Sequence, residues 1–170
     1  MTVFLARPSE EYKESFIEAI REFHAEGKYY AHLDVAQLEQ DFGSFVYDLL
    51  RREKRETQDL ELVPDTFFWL IDGDEYIGRV SIRHELIGSG HIGYDIRPSK
   101  RQMGYGTLIL RLALEEAKKI GLPKVLIVCN TDNIGSQKII EANGGVLESE
   151  VVTEHNGQES RHLRYWIALV

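Results

Sequence analysis

Val125-Leu126-Ile127-Val128-Cys129 is the stretch that most narrows the choice of fold. It is an unbroken apolar run, preceded by Gly121 and Pro123 and followed by Asn130 and Thr131. It is too short for a buried helix and shows no polar alternation, so Lys124–Cys129 reads as a strand covered on both faces. A sheet built around such a strand needs amphipathic helices above and below it.

The chain supplies them. Phe16, Ile17, Ile20 and Phe23 recur at helical spacing, as do Leu38, Phe42, Phe45, Val46 and Leu49, predicting two helices joined by the loop from Gly27 to Asp34. A short strand, Thr2–Ala6, precedes them, and the polar stretch Arg51–Asp59 follows as a connector. From Phe67 the period becomes that of strands: Phe67–Ile71 and Tyr76–Ile82 flank Asp72-Gly73-Asp74-Glu75, a hairpin signal. His91–Ile96 is a further strand, ending before Pro98. Leu108, Leu112, Ala113, Ala117 and Ile120 mark a helix stopped by Gly121 and Pro123. Asn133–Ala142 reads as a short helix, and Val146–Glu154 and Arg161–Leu169 as strands turning at Asn156-Gly157. The predicted order β-α-α-β-β-β-α-β-α-β-β gives an α/β fold, a mixed sheet with helices on both faces. With 170 residues and no repeat or low-complexity segment, it reads as one domain over residues 1–170.

Charge and cysteine content exclude several function classes. Residues 1–75 hold 8 Lys/Arg against 18 Asp/Glu, a balance of −10; residues 76–170 hold 12 against 10, a balance of +2. An acidic first half argues against nucleic-acid binding and suits either a cationic ligand or a plain solvated surface. No apolar run approaches a membrane span. Cys129 is the only cysteine and the N-terminus lacks a signal-peptide pattern, so a cytoplasmic location is expected. The histidines show no His-x-x-x-His spacing, so no metal site is expected. Cys129 itself reads as a small buried apolar residue.

The chemistry is concentrated in Asp95-Ile96-Arg97-Pro98-Ser99-Lys100-Arg101-Gln102-Met103-Gly104-Tyr105-Gly106-Thr107, between a strand and a helix. Pro98 keeps Arg97 extended. Gly104 and Gly106 remove Cβ atoms that would hold a ligand off the backbone. Free N–H groups at the helix start make an anion site, and Arg97, Lys100 and Arg101 are expected to add positive charge. This suits a pyrophosphate. A dinucleotide fingerprint would need a third glycine where Ile109 stands.

Arg101-x-x-Gly104-x-Gly106 resembles the Arg/Gln-x-x-Gly-x-Gly/Ala signature of the GNAT acetyltransferases. The resemblance extends to the preceding strand, the long helix, the apolar strand to Cys129, and Asn133-x-x-Ser136 opening the next helix. Residues 67–145 follow the family's central pattern; the first 66 agree in element order only. Within the family the chain is most similar to predicted acetyltransferases sharing His91-Ile92-Gly93-Tyr94-x-Ile96-Arg97-Pro98 and Asn133-Ile134-Gly135-Ser136.

That resemblance implies two central strands, His91–Ile96 and Lys124–Cys129, that splay apart to admit the pantetheine arm of acetyl-CoA. By position, the backbone of Tyr94, Asp95 and Ile96 would bond the arm. Arg101, Gln102, Met103, Gly104, Tyr105, Gly106 and Thr107 would hold the pyrophosphate, with Asn133 nearby. A bound amine would attack the thioester directly. Many relatives place a Tyr seven residues after the helix-opening Asn, where this chain has Ile140. Ser136 is the candidate acid, against the plainer reading of a first-turn polar residue. His91 is the candidate base, with Asp95, Glu85 and a water chain as alternatives. Tyr29, Tyr30 and His32 lie where relatives roof the acceptor site.

The reading is thus an acetyl-CoA-dependent N-acetyltransferase acting on a primary amine of a small molecule. The alternatives are a protein or peptide acetyltransferase, a CoA-binding module without turnover, and, least well matched, a dinucleotide enzyme. The sequence allows a homodimer through a sheet edge or the C-terminal hairpin.

Overall fold

Strand β2 (Asp65–Asp72) has an apolar residue on each of its faces, and the molecule is layered around it. In the computed structural model, which describes residues 2–54 and 63–170, Phe67, Trp69 and Ile71 join one core cluster and Leu70 the other, as strand alternation requires. β2 lies between β1 (Val3–Ala6) and β3 (Glu75–Arg83), and β3 pairs with β4 (Ile92–Ile96), giving an antiparallel sheet in the order β1-β2-β3-β4. Gly73, at φ 67°, forms the β2–β3 turn.

One face of this sheet carries α1 (Lys13–Glu26), α2 (Val35–Gln40) and α3 (Phe42–Arg51). Phe16 of α1 stacks on Trp69 with ring centroids 4.8 Å apart, and Leu38, Phe42, Val46 and Leu49 close the same cluster. The single helix predicted over Leu38 to Leu49 is in fact two. Asp41, at φ −144° and ψ 71°, ends α2, and its carboxylate accepts the Ser44 N–H to cap α3. The break leaves the apolar period intact, so periodicity could not reveal it. Most of the predicted connector, from residue 55 onward, lies outside the described residues.

The other face carries α4 (Tyr105–Ile120), whose Ile109, Leu110, Ala113, Leu114 and Ala117 pack on Leu70, Ile77, Val80 and Ile82. Helices therefore cover both faces. Gly121, at φ 99°, stops α4. The chain then forms β5 (Lys124–Asn130), α5 (Ile134–Ala142), β6 (Val146–His155) and β7 (Gln158–Ala168). β5, β7 and β6 make a second antiparallel sheet in that order. Val125, Leu126 and Ile127 are buried, as the apolar run predicts, whereas the edge strand β6 is almost wholly exposed. Asn156 and Gly157, both at positive φ, form the final hairpin turn. No ladder joins β4 to β5. The two sheets meet at an isolated bridge between Gly90 and Ile127.

Candidate active site

That bridge is a tight junction. Gly90 lies at φ 85°, and a Cβ there would stand 2.6 Å from the Leu126 carbonyl oxygen. Next to it, the His91 N–H donates to the same carbonyl at 2.8 Å, while His91 Nδ1 accepts the Leu126 N–H at 2.9 Å. His91 is 6% exposed, and its pKa is lowered by burial and by the nearby Arg83 charge. A ring accepting through Nδ1 carries its proton on Nε2 and has no lone pair left for proton abstraction. The geometry therefore corrects the expectation of a base: His91 ties β4 to β5.

Beyond the junction the strands part around a cleft of about 220 Å³, lined by Ile92, Gly93 and Tyr94 on one side and Ile127 to Asn130 on the other, with Asn133 and Ser136 at its end. Arg83 N–H bonds to the His91 carbonyl and Arg97 N–H to the Ile77 carbonyl. Odd-numbered residues of β4 therefore face β3, and by antiparallel alternation Ile92, Tyr94 and Ile96 turn their N–H and C=O groups to the cleft. Tyr94 and Ile96 thus have the orientation expected of them. Asp95 does not, because its backbone faces β3.

The Tyr94 hydroxyl and Ser136 Oγ are 2.8 Å apart at the cleft. Ser136 is placed by Asn133, whose side-chain oxygen accepts the Ser136 N–H at 3.1 Å and caps α5. Burial pushes the Tyr94 phenol up to about 12, the Ser136 hydroxyl offsetting part of the rise. Burial likewise raises the Cys129 thiol beside Ser136, which keeps it in the neutral form expected of it. Ile140 is fully buried in the core. The cleft's phenol comes from β4 instead of α5. The sequence offered the Tyr94 backbone as a contact but gave no signal for its side chain, because the partner is forty-two positions away.

The glycine-rich segment forms a cradle. A 3-10 turn at Pro98–Lys100 is followed by Gln102 at φ 60° and Gly104 at φ 87°. Such left-handed steps turn successive N–H groups inward as an anion nest. The first bonded amide is that of Leu108, to the Gly104 carbonyl at 3.2 Å, and the N–H groups of Gln102 through Thr107 have no partner among the described residues. Free amides at a helix start fit a pyrophosphate. Met103 is exposed on the rim. The Tyr105 hydroxyl donates to Asp72 Oδ2 at 2.5 Å and ties the helix start to β2.

Two expectations about this segment need correction. Gly104 lies at φ 87°, which glycine adopts freely, and nothing lies within 4 Å of a built Cβ, so the space before it is open to a ligand. Gly106 serves packing: a Cβ there would stand 2.4 Å from Ile139 Cδ1 of α5. The three cations are also engaged elsewhere. Arg97 is 2% exposed and bonds Glu22, Glu75 and the Tyr76 carbonyl. Lys100 pairs with Glu75 at 2.9 Å, and Arg101 with Glu26 at 2.6 Å while also donating to the Ile96 carbonyl. Three carboxylates of the acidic first half, Glu22, Glu26 and Glu75, thus meet three cations of the second half.

In the loop between α1 and α2, Tyr30 is buried at φ 62° and its hydroxyl donates to Asp95. Arg79 stacks on the Tyr30 ring at 4.6 Å and donates to Asp95 Oδ2 at 3.2 Å. Burial raises the Asp95 carboxyl against the pull of Arg79, and Asp95 Oδ1 is buried without a partner. Tyr29 is 56% exposed, and His32 lies 6.2 Å from Tyr30, ring to ring. Glu85 is exposed in the β3–β4 loop. Among the described residues no cluster of His, Cys, Asp and Glu could hold a metal ion, and no helix is long and apolar enough to cross a membrane.

With the splayed strands and the cradle established, the comparisons place the chain. The profile of the acetyltransferase (GNAT) domain matches residues 5–146. The chain therefore belongs to the GNAT family and is an acetyl-CoA-dependent acetyltransferase. No curated protein matches it by sequence. Among solved structures it is similar to the microcin C7 self-immunity acetyltransferase MccE, in complex with acetyl-CoA and AMP, at 17% identity and TM-score 0.74, covering 98% of this chain and 92% of that one. It is similar to RimL, a ribosomal L7/L12 α-N-protein acetyltransferase in complex with coenzyme A, at 18% identity and TM-score 0.72, covering 99% and 95%. A spermidine N-acetyltransferase SpeG chimera from Vibrio cholerae and hSSAT follows at 17% identity and TM-score 0.66, covering 99% and 96%. At these identities the likeness shows a shared fold.

Proposed function

We propose that the chain, as one domain, transfers the acetyl group of acetyl-CoA to a primary amine of a small molecule by direct attack on the thioester. The observation that carries this reading is the parting of β4 and β5 just beyond the His91–Leu126 junction, with the Tyr94–Ser136 hydroxyl pair at the resulting cleft. The free amides of Gln102–Thr107 hold the pyrophosphate. The cleft-facing backbone of Tyr94 and Ile96 receives the pantetheine arm as an added strand would be received. N–H groups of Ile92 and Tyr94 face the thioester oxygen and stabilise the developing oxyanion.

The amine lone pair forms the new C–N bond, the C–S bond breaks, and the thiolate takes a proton through Ser136. Tyr94 orients that hydroxyl, which then regains a proton from solvent water. The amine's own proton leaves through water, since His91 Nδ1 is already bonded and Asp95 is held by Tyr30 and Arg79. Positioning supplies most of the rate. The small-molecule reading is favoured over a basic peptide because Glu22, Glu26 and Glu75 of the acidic first half are already bonded to Arg97, Lys100 and Arg101 and are not free to receive one.

Acetyl-CoA at about 100 times its Kd should stabilise the fold by about 2.7 kcal/mol, a melting shift on the order of 5 °C, with NAD giving much less. A screen of primary amines, monitored by thiol release, then finds the acceptor. Equal shifts from NAD and acetyl-CoA would sink the reading.

A further inference from the structure

One polar column on the first sheet has no role in the acetyl transfer proposed for the cleft. Arg79, Ser81 and Arg83 alternate along β3, and their neighbours in β4 are Asp95 opposite Arg79 and Gly93 opposite Ser81. Arg79 is neutralised by Asp95 at 3.2 Å. Arg83 is not neutralised in this way. Its Nη1 donates to the Gly90 carbonyl at 3.1 Å. Asp65, its cross-strand neighbour, is bonded to Arg52 at 3.0 Å. No ion pair to Arg83 forms among the described residues. Burial lowers the Arg83 pKa, Asp65 offsetting part of that and Arg52 adding to it, as for a cation short of counter-charge.

Gly93 connects this column to the cleft. It lines the cleft from β4. On its side-chain face, a built Cβ would find only Ser81 Oγ at 3.7 Å and Arg83 Nη2 at 4.0 Å within contact range. At this level the wall between cleft and column is backbone alone, and the first side-chain atoms beyond it are a hydroxyl and a guanidinium nitrogen. Of the acidic residues, Glu22, Glu26 and Glu75 are already bonded to Arg97, Lys100 and Arg101.

We infer that the acceptor carries a carboxylate close to its reacting amine, and that Arg83 with Ser81 binds that carboxylate at Gly93. The acceptor class is then amino-acid-like rather than a polyamine. A guanidinium offers a planar pair of donors matched to a carboxylate, and Nη2 remains available for it. An amine one or two bonds from the anchored carboxylate lies beside Gly93, next to the cleft-facing backbone of Ile92 and Tyr94. The inference rests on the acetyl-transfer reading of the cleft.

The test is a panel of α-amino acids, each compared with its carboxamide and its decarboxylated amine, with spermidine added, at fixed acetyl-CoA and with thiol release followed. The acids should be preferred about tenfold or more in kcat/KM, the range of a charge-assisted hydrogen bond. Arg83→Gln should remove the preference, chiefly through the KM of the acid, and Arg83→Lys should keep part of it. The melting shift given by acetyl-CoA should be unchanged in both variants, which shows that fold and cradle are intact. Equal or better turnover of the amides, the decarboxylated amines or spermidine overturns the carboxylate anchor and leaves acetyl transfer standing. A preference that survives Arg83→Gln overturns the role of Arg83. Loss of the acetyl-CoA shift in the wild-type chain would overturn the underlying reading as well.

Discussion

The hydroxyls of Tyr94 and Ser136 stand 2.8 Å apart and join the middle of β4 to the first turn of α5 across the cleft. If this pair returns the proton to the leaving thiolate, Ser136→Ala should lower kcat about tenfold or more with little change in acetyl-CoA affinity, because the bond is needed mainly in the transition state. Tyr94→Phe should cost less, as it removes only the orienting partner. The phenol also gives a pH signature. Its folded pKa of about 12 lies above the unfolded value near 10. Its stabilising contribution is therefore complete below pH 10 and lost as pH rises through 12. Unfolding curves in that window should show a smaller alkaline loss in Tyr94→Phe than in the wild type, and equal slopes would place the phenol in water.

His91 gives the opposite sign. Its folded pKa lies below 6.5 because burial and Arg83 oppose the charged ring. The stability it contributes is full above pH 6.5 and is lost as pH falls through the lower folded value. Melting temperatures should therefore fall on acidification below pH 6.5, and less so in His91→Gln, which cannot charge. As a tie between strands, His91→Ala should weaken acetyl-CoA binding and lower the melting point. Its rate should not recover at high pH. Recovery at high pH would restore the ring as a base.

Some of this was legible in the sequence and some could not be. The run Val125–Cys129 announced a doubly covered strand because burial leaves its imprint on consecutive residues, and all of them but the half-buried Val128 are buried. Arg101-x-x-Gly104-x-Gly106 announced the cradle because its requirement is local: a left-handed Gly104 and amides released in order. The reasons behind individual residues were not local. Gly106 answers to Ile139, Arg97 to Glu22, and His91 Nδ1 to the Leu126 amide. Each partner sits on another element, and one sequence does not record which elements touch. The break at Asp41 was hidden for a different reason, since Leu38 and Phe42 keep helical spacing across it.

The two glycines of the cradle should fail differently. Gly104→Ala places a Cβ in open space but at φ 87°, costing about 1 kcal/mol in backbone strain and more in acetyl-CoA affinity as the amides turn. Gly106→Ala drives a methyl group to within 2.4 Å of Ile139 Cδ1, an overpacking cost of about 1–3 kcal/mol. Ile139→Val removes that atom, so the double variant Gly106→Ala/Ile139→Val should recover much of the lost melting temperature. No such rescue should exist for Gly104→Ala. Rescue of both, or of neither, would contradict the division of roles.

Arg97 joins α1 to β3 through its side chain. Its guanidinium is nearly inaccessible and bonds Glu22 of α1, Glu75 at the start of β3 and the Tyr76 carbonyl. It thereby pins α1 to the strand that leads into the cradle. Arg97→Met keeps the bulk but leaves Glu22 without its cation and Glu75 with Lys100 alone. Breaking a fully buried pair costs about 3–5 kcal/mol, and the partial exposure of both carboxylates reduces that here. Although burial of Glu22 acts upward on its carboxyl, the hydrogen bonds from Arg97 and Ser99 outweigh it and hold the pKa below the usual range. The stability this contributes is present above the unfolded carboxylate pKa near 4.3 and is lost as pH falls through the lower folded value. The wild type should therefore lose stability in that acidic window, and Arg97→Met should lose far less there, having already forfeited the interaction. Because Ser99 also donates to Glu22 just ahead of the cradle, the variant should bind acetyl-CoA more weakly even at temperatures where it remains folded. Wild-type affinity in a folded Arg97→Met protein would show that the ion pair supports the fold without shaping the cradle.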